Sequence, residues 1–152
     1  MDAGDFVFVA GLLFPLTVAG VMDYRYRIIP NYCCAMIFGM GLIEMLLQTP
    51  RHLFYLELAP RMAGILPAAV LLLISYHKGS SGGGDVKLVA GLGFAVGVSH
   101  LSIVLFFAVL LALAWGWLKY KRIQTFVPLA AFAAAGSWIW AIGIYFFARS
   151  LK

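Results

Sequence analysis

Residues 4–22 read GDFVFVAGLLFPLTVAGVM, and nearly every side chain in this stretch is apolar. A helix needs roughly 20 residues, at a rise of about 1.5 Å each, to cross the hydrocarbon core of a membrane. The chain before this run begins MDAG and has no basic residue, which favours a retained spanning helix over a cleaved signal peptide. The stretch therefore predicts a membrane protein.

The rest of the chain is equally apolar. Of its 152 residues, 64% are hydrophobic and only 11% are charged, which gives a mean hydropathy of +0.98. A soluble fold of this size could not bury so much apolar surface in one small core. Because no polar linker or low-complexity stretch divides the chain, we expect a single all-α membrane domain over residues 1–152.

Glycine, proline and charged residues divide the remaining apolar sequence into five runs. These runs lie at residues 31–48, 59–76, 86–98, 101–118 and 126–148. The run at 86–98 is too short to cross a membrane upright, and GVSH separates it from the next run. Pro60 and Pro67 are expected to bend the run at 59–76. The chain is thus expected to form about six transmembrane helices, the fourth of them short.

The basic residues predict how these helices are oriented. If the connections at 23–29, 77–84 and 119–125 face the cytoplasm, that side carries Arg25, Arg27, Lys78, Lys87, Lys119, Lys121 and Arg122. The opposite side carries Arg51, Arg61, Arg149 and Lys152. By the positive-inside rule, we expect a multi-pass protein of the cytoplasmic (inner) membrane with both termini on the non-cytoplasmic side. The basic residues are scattered between apolar runs, so the net charge of +5 does not indicate a nucleic-acid-binding surface.

Two aspartates lie at the predicted cytoplasmic boundary. Asp23 follows the first run in MDYRYRIIPN, residues 22–31, and Asp85 lies in SSGGGDVKL, residues 80–88. Charged side chains at membrane depth are costly and usually persist where they have a function. Two carboxylates can hydrolyse a peptide bond without a metal or cofactor, because one acts as a base toward water while the other donates a hydrogen bond to the carbonyl oxygen. Like charges that lie close together share a proton, so the pair would titrate as a unit.

The three glycines before Asp85 have a mechanical role in this interpretation. Gly82, Gly83 and Gly84 allow backbone angles that other residues cannot adopt, so an extended substrate strand could lie against the loop. Asp85 would then begin the next helix, whose dipole favours a negative charge at that end. Each motif also has a simpler interpretation, since Asp85 could be an ordinary N-cap and DYRYRIIPN a basic cytoplasmic loop. The presence of both motifs in one chain favours the catalytic interpretation.

Other chemically active side chains are weaker candidates. Three histidines lie in different connections, without partners at metal-ligand spacing, so no metal site is expected: His52, His77 and His100. Glu44 lies inside the second run and is predicted to be a hydrogen-bonded interhelical residue rather than a proton carrier. Cys33 and Cys34 are adjacent inside an apolar run, which indicates neither a structural disulfide nor a CxxC-type zinc site.

Together, DYRYRIIPN and SSGGGDVKLVAGLGFAVG resemble the type IV prepilin peptidase family, which are membrane aspartic proteases of the GxGD class. The sequence pattern of that family combines an aspartate shortly before an Ile-Pro-Asn element with a second aspartate, later in the chain, in a Gly-Gly-Gly-Asp-Val-Lys-Leu context. The later FVPLAAFAAAG, residues 126–136, is similar to the family's proline-containing final segment. The resemblance implies that Asp23 and Asp85 are the catalytic pair. Within the same motifs, the candidate residues that shape the loop or contact substrate are Gly82, Gly83, Gly84, Lys87, Pro30 and Asn31.

The resemblance also implies a substrate class. Family members cleave prepilin-like precursors, on the cytoplasmic side, between a short basic leader and a hydrophobic helix. The short chain is most similar to the stand-alone peptidases of Flp-type tight-adherence pili, and an archaeal-type preflagellin peptidase is an alternative. Membrane lipids are expected partners, because anionic headgroups could hold a basic leader near a positive protein face. Larger members also carry paired CxxC motifs and an N-methyltransferase activity, which we do not expect here.

A function of another class is a small ion or proton transporter component. In such a protein, Asp23 and Asp85 would carry charge, and the glycine loop would interrupt a discontinuous helix. A transporter would not need the Asp-Val-Lys-Leu context, and it would place its acids nearer the membrane midplane. The sequence therefore favours the peptidase.

Overall fold

The computed structural model describes residues 3–48, 53–78, 83–120 and 128–150, and these ranges contain no strand. The α-helices are α1 (Ala3–Tyr26), α2 (Asn31–Gln48), α3 (Phe54–Ala63), α4 (Leu66–Lys78), α5 (Gly83–Tyr120) and α6 (Leu129–Ser150). Four helical stretches in this part of the chain are long and apolar enough to cross a membrane: Phe6–Tyr26, Phe54–Leu73, Gly83–Trp117 and Leu129–Phe146. Asn31–Leu47 is a shorter apolar helix. The prediction of an all-α membrane protein is confirmed, whereas six spanning helices and the side of the termini stay predictions.

The helices compare with the sequence prediction at two places. The expected break between the fourth and fifth helices is present at Gly97, the first residue of GVSH, with φ 74° and ψ 168°, but it is a bend within α5 rather than a turn between separate helices. Glycine adopts this positive φ without steric cost, so the chain bends there and continues as a helix. The expected run at 59–76 begins earlier, with α3, and is divided by a turn at Gly64 and Ile65. The N–H of Gly64 donates to the Pro60 carbonyl oxygen at 3.0 Å and closes α3.

The core forms around α5, which packs against α2, α3, α4 and α6, while α1 packs against α2 and α6. Leu16, Leu88 and Leu92 are fully buried there. Small residues allow the helices to approach closely. A Cβ at Gly20 of α1 would lie 3.1 Å from the Cα atom of Ala131 in α6. Close packing of this kind stabilises helix pairs in a bilayer, where lipid tails are as apolar as leucine.

Large apolar side chains cover the outside of the bundle. Tyr24, Tyr26, Trp138 and Tyr145 are all exposed, as expected for residues that face lipid or its headgroups. The end of α1 and the beginnings of α2, α5 and α6 meet at one end of the bundle, where their side chains contact one another. This junction contains both sequence motifs.

Candidate active site

Asp23 lies in the last turn of α1 and is only 7% exposed. Its Oδ2 atom accepts a hydrogen bond from the backbone N–H of Ala130 at 3.1 Å. Ala130 is the second residue of α6, and the first N–H groups of a helix have no partner within the helix. The carboxylate therefore caps α6 from another helix, at the end where the helix dipole favours negative charge.

The chain after Asp23 turns sharply. The N–H of Arg27 donates to the carbonyl oxygen of Asp23 at 3.0 Å, and Arg27 has a left-handed backbone with φ 57°. Helices often end with one residue in this conformation, although glycine is the usual choice, because a side chain adds strain there. The turn also places the Arg27 charge near the Asp23 carboxylate, and the two interact electrostatically.

Asp85 lies in the first turn of α5 and is partly buried. It is close enough to Asp23 for the two carboxylates to interact electrostatically. The structure thus brings together the two aspartates of the motifs, although they are far apart in sequence. Asp85 was expected at the start of a helix, and it lies in the first turn of α5 as the third residue.

Two further contacts join the motifs. The Nζ atom of Lys87 donates to the Oδ1 atom of Asn31 at 3.0 Å, which connects α5 to the first residue of α2. Pro30 directly precedes α2, and its carbonyl oxygen accepts the N–H of Cys33 at 3.1 Å. A Cβ at Gly84 would lie 3.0 Å from the Cβ atom of Ile29, so only glycine gives Ile29 its full space. These contacts hold the segment around Pro30 and Asn31 against the beginning of α5 at Gly84 and Lys87, whereas contact of the four residues with substrate stays a prediction.

The glycines before Asp85 were expected to adopt backbone angles that other residues cannot, and the described ones do not. Gly83 and Gly84 are the first two residues of α5, and neither has a positive φ. Among the described glycines, Gly97 is the one with that conformation. A Cβ at Gly83 would meet nothing within 4 Å. Gly82 lies outside the described residues, so its predicted role is unchanged.

The other candidates of the sequence have ordinary surroundings. Glu44 forms an ion pair with Arg61, which confirms its prediction as an interhelical residue. The Nδ1 atom of His100 accepts a hydrogen bond from the indole N–H of Trp140 at 3.2 Å. Both cysteines are free and buried. Across residues 3–48, 53–78, 83–120 and 128–150, no group of three or more His, Cys, Asp or Glu side chains could hold a metal ion.

Sequence reasoning missed two participants. One is the backbone N–H of Ala130, which donates to Asp23. No side-chain type indicates such a donor, although the proline of FVPLAAFAAAG marks the beginning of α6. The other is Arg61, which was assigned to the outer loop charge but lies in α3 and is 7% exposed. Its partner Glu44 was the available signal, because a carboxylate inside an apolar run usually has a partner.

The motif geometry can be compared with known proteins. A family model for the type IV leader peptidase family matches residues 9–117. The prepilin leader peptidase/N-methyltransferase of Bacillus subtilis (strain 168) is 36% identical over 101 residues, which are 66% of this chain. The chain spans 40% of the length of that curated relative. No solved structure matches the chain. The family match covers well over half of the sequence and includes both aspartates, so the chain belongs to the type IV leader peptidase family.

Proposed function

We propose that this chain is a membrane aspartic endopeptidase that removes the leader peptide from type IV prepilin-like precursors at the cytoplasmic face of the membrane. The observation that carries the proposal is the meeting of Asp23 and Asp85 at one end of the bundle. The family match supports the same reaction. Asp23 and Asp85 activate the attacking water and polarise the scissile carbonyl, and they share one proton as they do so.

The hydrogen bond from Ala130 gives the pair a fixed geometry. It holds the Asp23 carboxylate in one orientation, while Asp85 lies in the first turn of a regular helix, α5. Preorganised groups accelerate a reaction because they need no rearrangement as charge develops. The water and the peptide carbonyl would lie between the two carboxylates.

The surroundings of the pair suit a substrate that is itself embedded in the membrane. Tyr24, Tyr26 and Ile28 lie within the motif of Asp23, Tyr32 directly follows it, and all four side chains are exposed. An apolar rim at a membrane boundary lets a hydrophobic helix approach sideways from the lipid, with the peptide bond at its end delivered to the aspartates. The basic leader would lie among anionic headgroups, because Arg25 and Arg27 make the same end of the protein positive.

A cleavage assay tests the proposal. The purified chain, in lipid nanodiscs, is incubated with each prepilin-like precursor encoded by the same genome, and the products are weighed by mass spectrometry. We expect one cut between the basic leader and the hydrophobic helix. A preparation carrying both Asp23→Asn and Asp85→Asn controls for contaminating proteases. Equal cleavage by that double variant, or no cleavage of any precursor by the parent, would contradict the proposal.

A further inference from the structure

Arg61 is a buried charge within a stretch apolar enough to span the membrane. Its Nη1 atom donates to the carbonyl oxygens of Ala95 at 2.8 Å and of Gly41 at 3.2 Å. Its Nη2 atom pairs with the carboxylate of Glu44. Burying a charge is costly unless it is paired and hydrogen-bonded. Both Nη atoms of Arg61 meet this condition and join α3 to α2 and α5, while its buried Nε atom has no hydrogen-bond partner among the described residues.

Two of the carbonyl oxygens that Arg61 contacts lie just before the bend in α5. An interrupted helix leaves its last four carbonyl groups without partners from its own helix. Phe94 and Ala95 are among the last four residues before Gly97, and both accept from Nη1 of Arg61, at 3.5 Å and 2.8 Å. A cationic side chain at this end also complements the helix dipole. Arg61 therefore caps the first segment of α5, residues 83–96.

The same segment has close backbone neighbours. Gly41 of α2 lies directly against Ala95, and Gly64, which follows α3, lies against Gly93. A cavity of about 460 Å³ lies beside the end of this segment and is lined by Arg61, Glu44 and Gly97, among others. Because this space leaves the end of the segment incompletely packed, removal of Arg61 would allow the segment to tilt.

The position of this segment determines the position of Asp85. Asp85 and Ala95 lie in the same helical segment, about 15 Å apart at the usual helical rise. A tilt of about 5° at Ala95 would move Asp85 by roughly 1 Å, and a misplacement of that size can lower a reaction rate about 100-fold. We propose that Arg61, held by Glu44, is a positioning residue that sets the place of Asp85 relative to Asp23. The expected effect of Arg61 on kcat rests on the proposed peptidase function, whereas its expected effect on the position of Asp85 does not.

Kinetics of purified variants test this role. Arg61→Leu is expected to lower kcat about tenfold or more, with KM changed by less than about twofold, because substrate contacts remain while the carboxylates are misaligned. Arg61→Lys keeps the charge but not the planar fork of donors, so its kcat should lie between those of the parent and Arg61→Leu. Glu44→Gln should have a smaller effect, since the amide oxygen still accepts from Arg61. Glu57→Gln, an exposed position on the same helix, is the control and should leave kcat unchanged.

A distance measurement makes the test independent of activity. Spin labels are attached to cysteines introduced at Gly83 and Val21, two exposed positions on α5 and α1, in a background with Cys33 and Cys34 changed to alanine. We expect Arg61→Leu to shift or broaden the distance distribution, and Arg61→Lys, which folds with less disturbance, to do so by a smaller amount.

An unchanged distance, or a parent-like kcat for Arg61→Leu in an enzyme that cleaves prepilin, would overturn the positioning role while the peptidase function stands. If the parent cleaves no precursor, the proposed function fails. The distance measurement then decides alone whether Arg61 sets the position of Asp85.

Discussion

At the scale of single residues, the proposed chemistry depends on which groups surround the two carboxylates. Asp23 accepts a hydrogen bond at a helix N-terminus and interacts electrostatically with Arg27, while Asp85 interacts electrostatically with Asp23. The two aspartates therefore have different neighbours, although both belong to one proposed site. Their substitution by asparagine keeps size and hydrogen-bonding capacity but removes the base and the shared proton.

Asp23→Asn and Asp85→Asn are each expected to lower kcat by at least about 100-fold, because general acid–base catalysis contributes that much or more. Both variants should insert into the membrane and remain folded. Product formation is followed by mass spectrometry, with Glu57→Gln as the control that should cleave at the parent rate. Near-parent processing by either aspartate variant would show that its carboxylate is not catalytic.

Gly84→Val is expected to depress activity strongly, because the added side chain would collide with Ile29 and separate the two motifs. Gly39→Val is the matched control, since a Cβ at that helical glycine meets nothing within 4 Å. A comparison of Gly83→Ala with Gly84→Ala distinguishes a need for space from a need for backbone freedom. Equal losses of activity in the two variants would favour a need for backbone freedom. A smaller loss of activity in Gly83→Ala would favour the contact between Gly84 and Ile29.

The residues of the motifs could be identified from sequence, but their partners could not. Asp23 and Asp85 are conspicuous because acids are rare in apolar sequence. The bond between Lys87 and Asn31 depends on the register of α5 against α2, which packing determines. The Ala130 N–H is a backbone group that every residue except proline has, so no residue type indicates it.

At the scale of helices, the pairing of α1 with α6 supports the site. Gly20 lies one turn before Asp23, and its missing side chain lets Ala130, Ala131 and Ala134 of α6 approach α1. The hydrogen bond from Ala130 to Asp23 requires this close approach. The packing of the two helices and the orientation of the carboxylate are therefore coupled.

Gly20→Leu is expected to separate α1 from α6, lowering the thermal unfolding temperature in detergent and the cleavage rate together. Overpacking of a close contact typically costs about 1–3 kcal/mol. Gly143→Leu in α6 is the control, since its added side chain would meet nothing within 4 Å. If Gly20→Leu melts and cleaves as the parent does, the close approach is not required.

Apolar runs predicted most helical stretches, because length and hydropathy determine what a bilayer accepts. They placed a break at GVSH, which the bend at Gly97 confirms, but they did not indicate the division at Gly64. A glycine can bend a helix or simply make room for a neighbour, and its tertiary contacts decide which. Gly93 illustrates the second case, since it packs directly on Gly64 within an unbroken segment.

At the scale of the whole molecule, the predicted orientation can be tested by labelling. Tyr26→Cys and Ser99→Cys introduce thiols at exposed positions near opposite ends of the bundle, again with Cys33 and Cys34 changed to alanine. A membrane-impermeant maleimide added to intact spheroplasts should label Ser99→Cys and leave Tyr26→Cys unlabelled until the membrane is opened. The reverse pattern would contradict a cytoplasmic active site.

The chain is also expected to cleave without methylating the new N-terminus. A methyl transfer from S-adenosylmethionine needs a cofactor pocket, and the described connection between α1 and α2 consists of residues 27–30 alone. The assay supplies S-adenosylmethionine together with prepilin and weighs the mature product. A product heavier by one methyl group, formed by this chain alone, would refute the expectation.

The capping of α6 by Asp23 also affects which substitutions the helix can tolerate. The family match ends at residue 117, yet α6 lies beyond it and donates the N–H that holds the carboxylate. A main-chain donor is supplied by every amino acid except proline, so Ala130 can be exchanged for another small residue without loss of the hydrogen bond. At this position α6 thus needs a main-chain donor and a small side chain, rather than one particular amino acid.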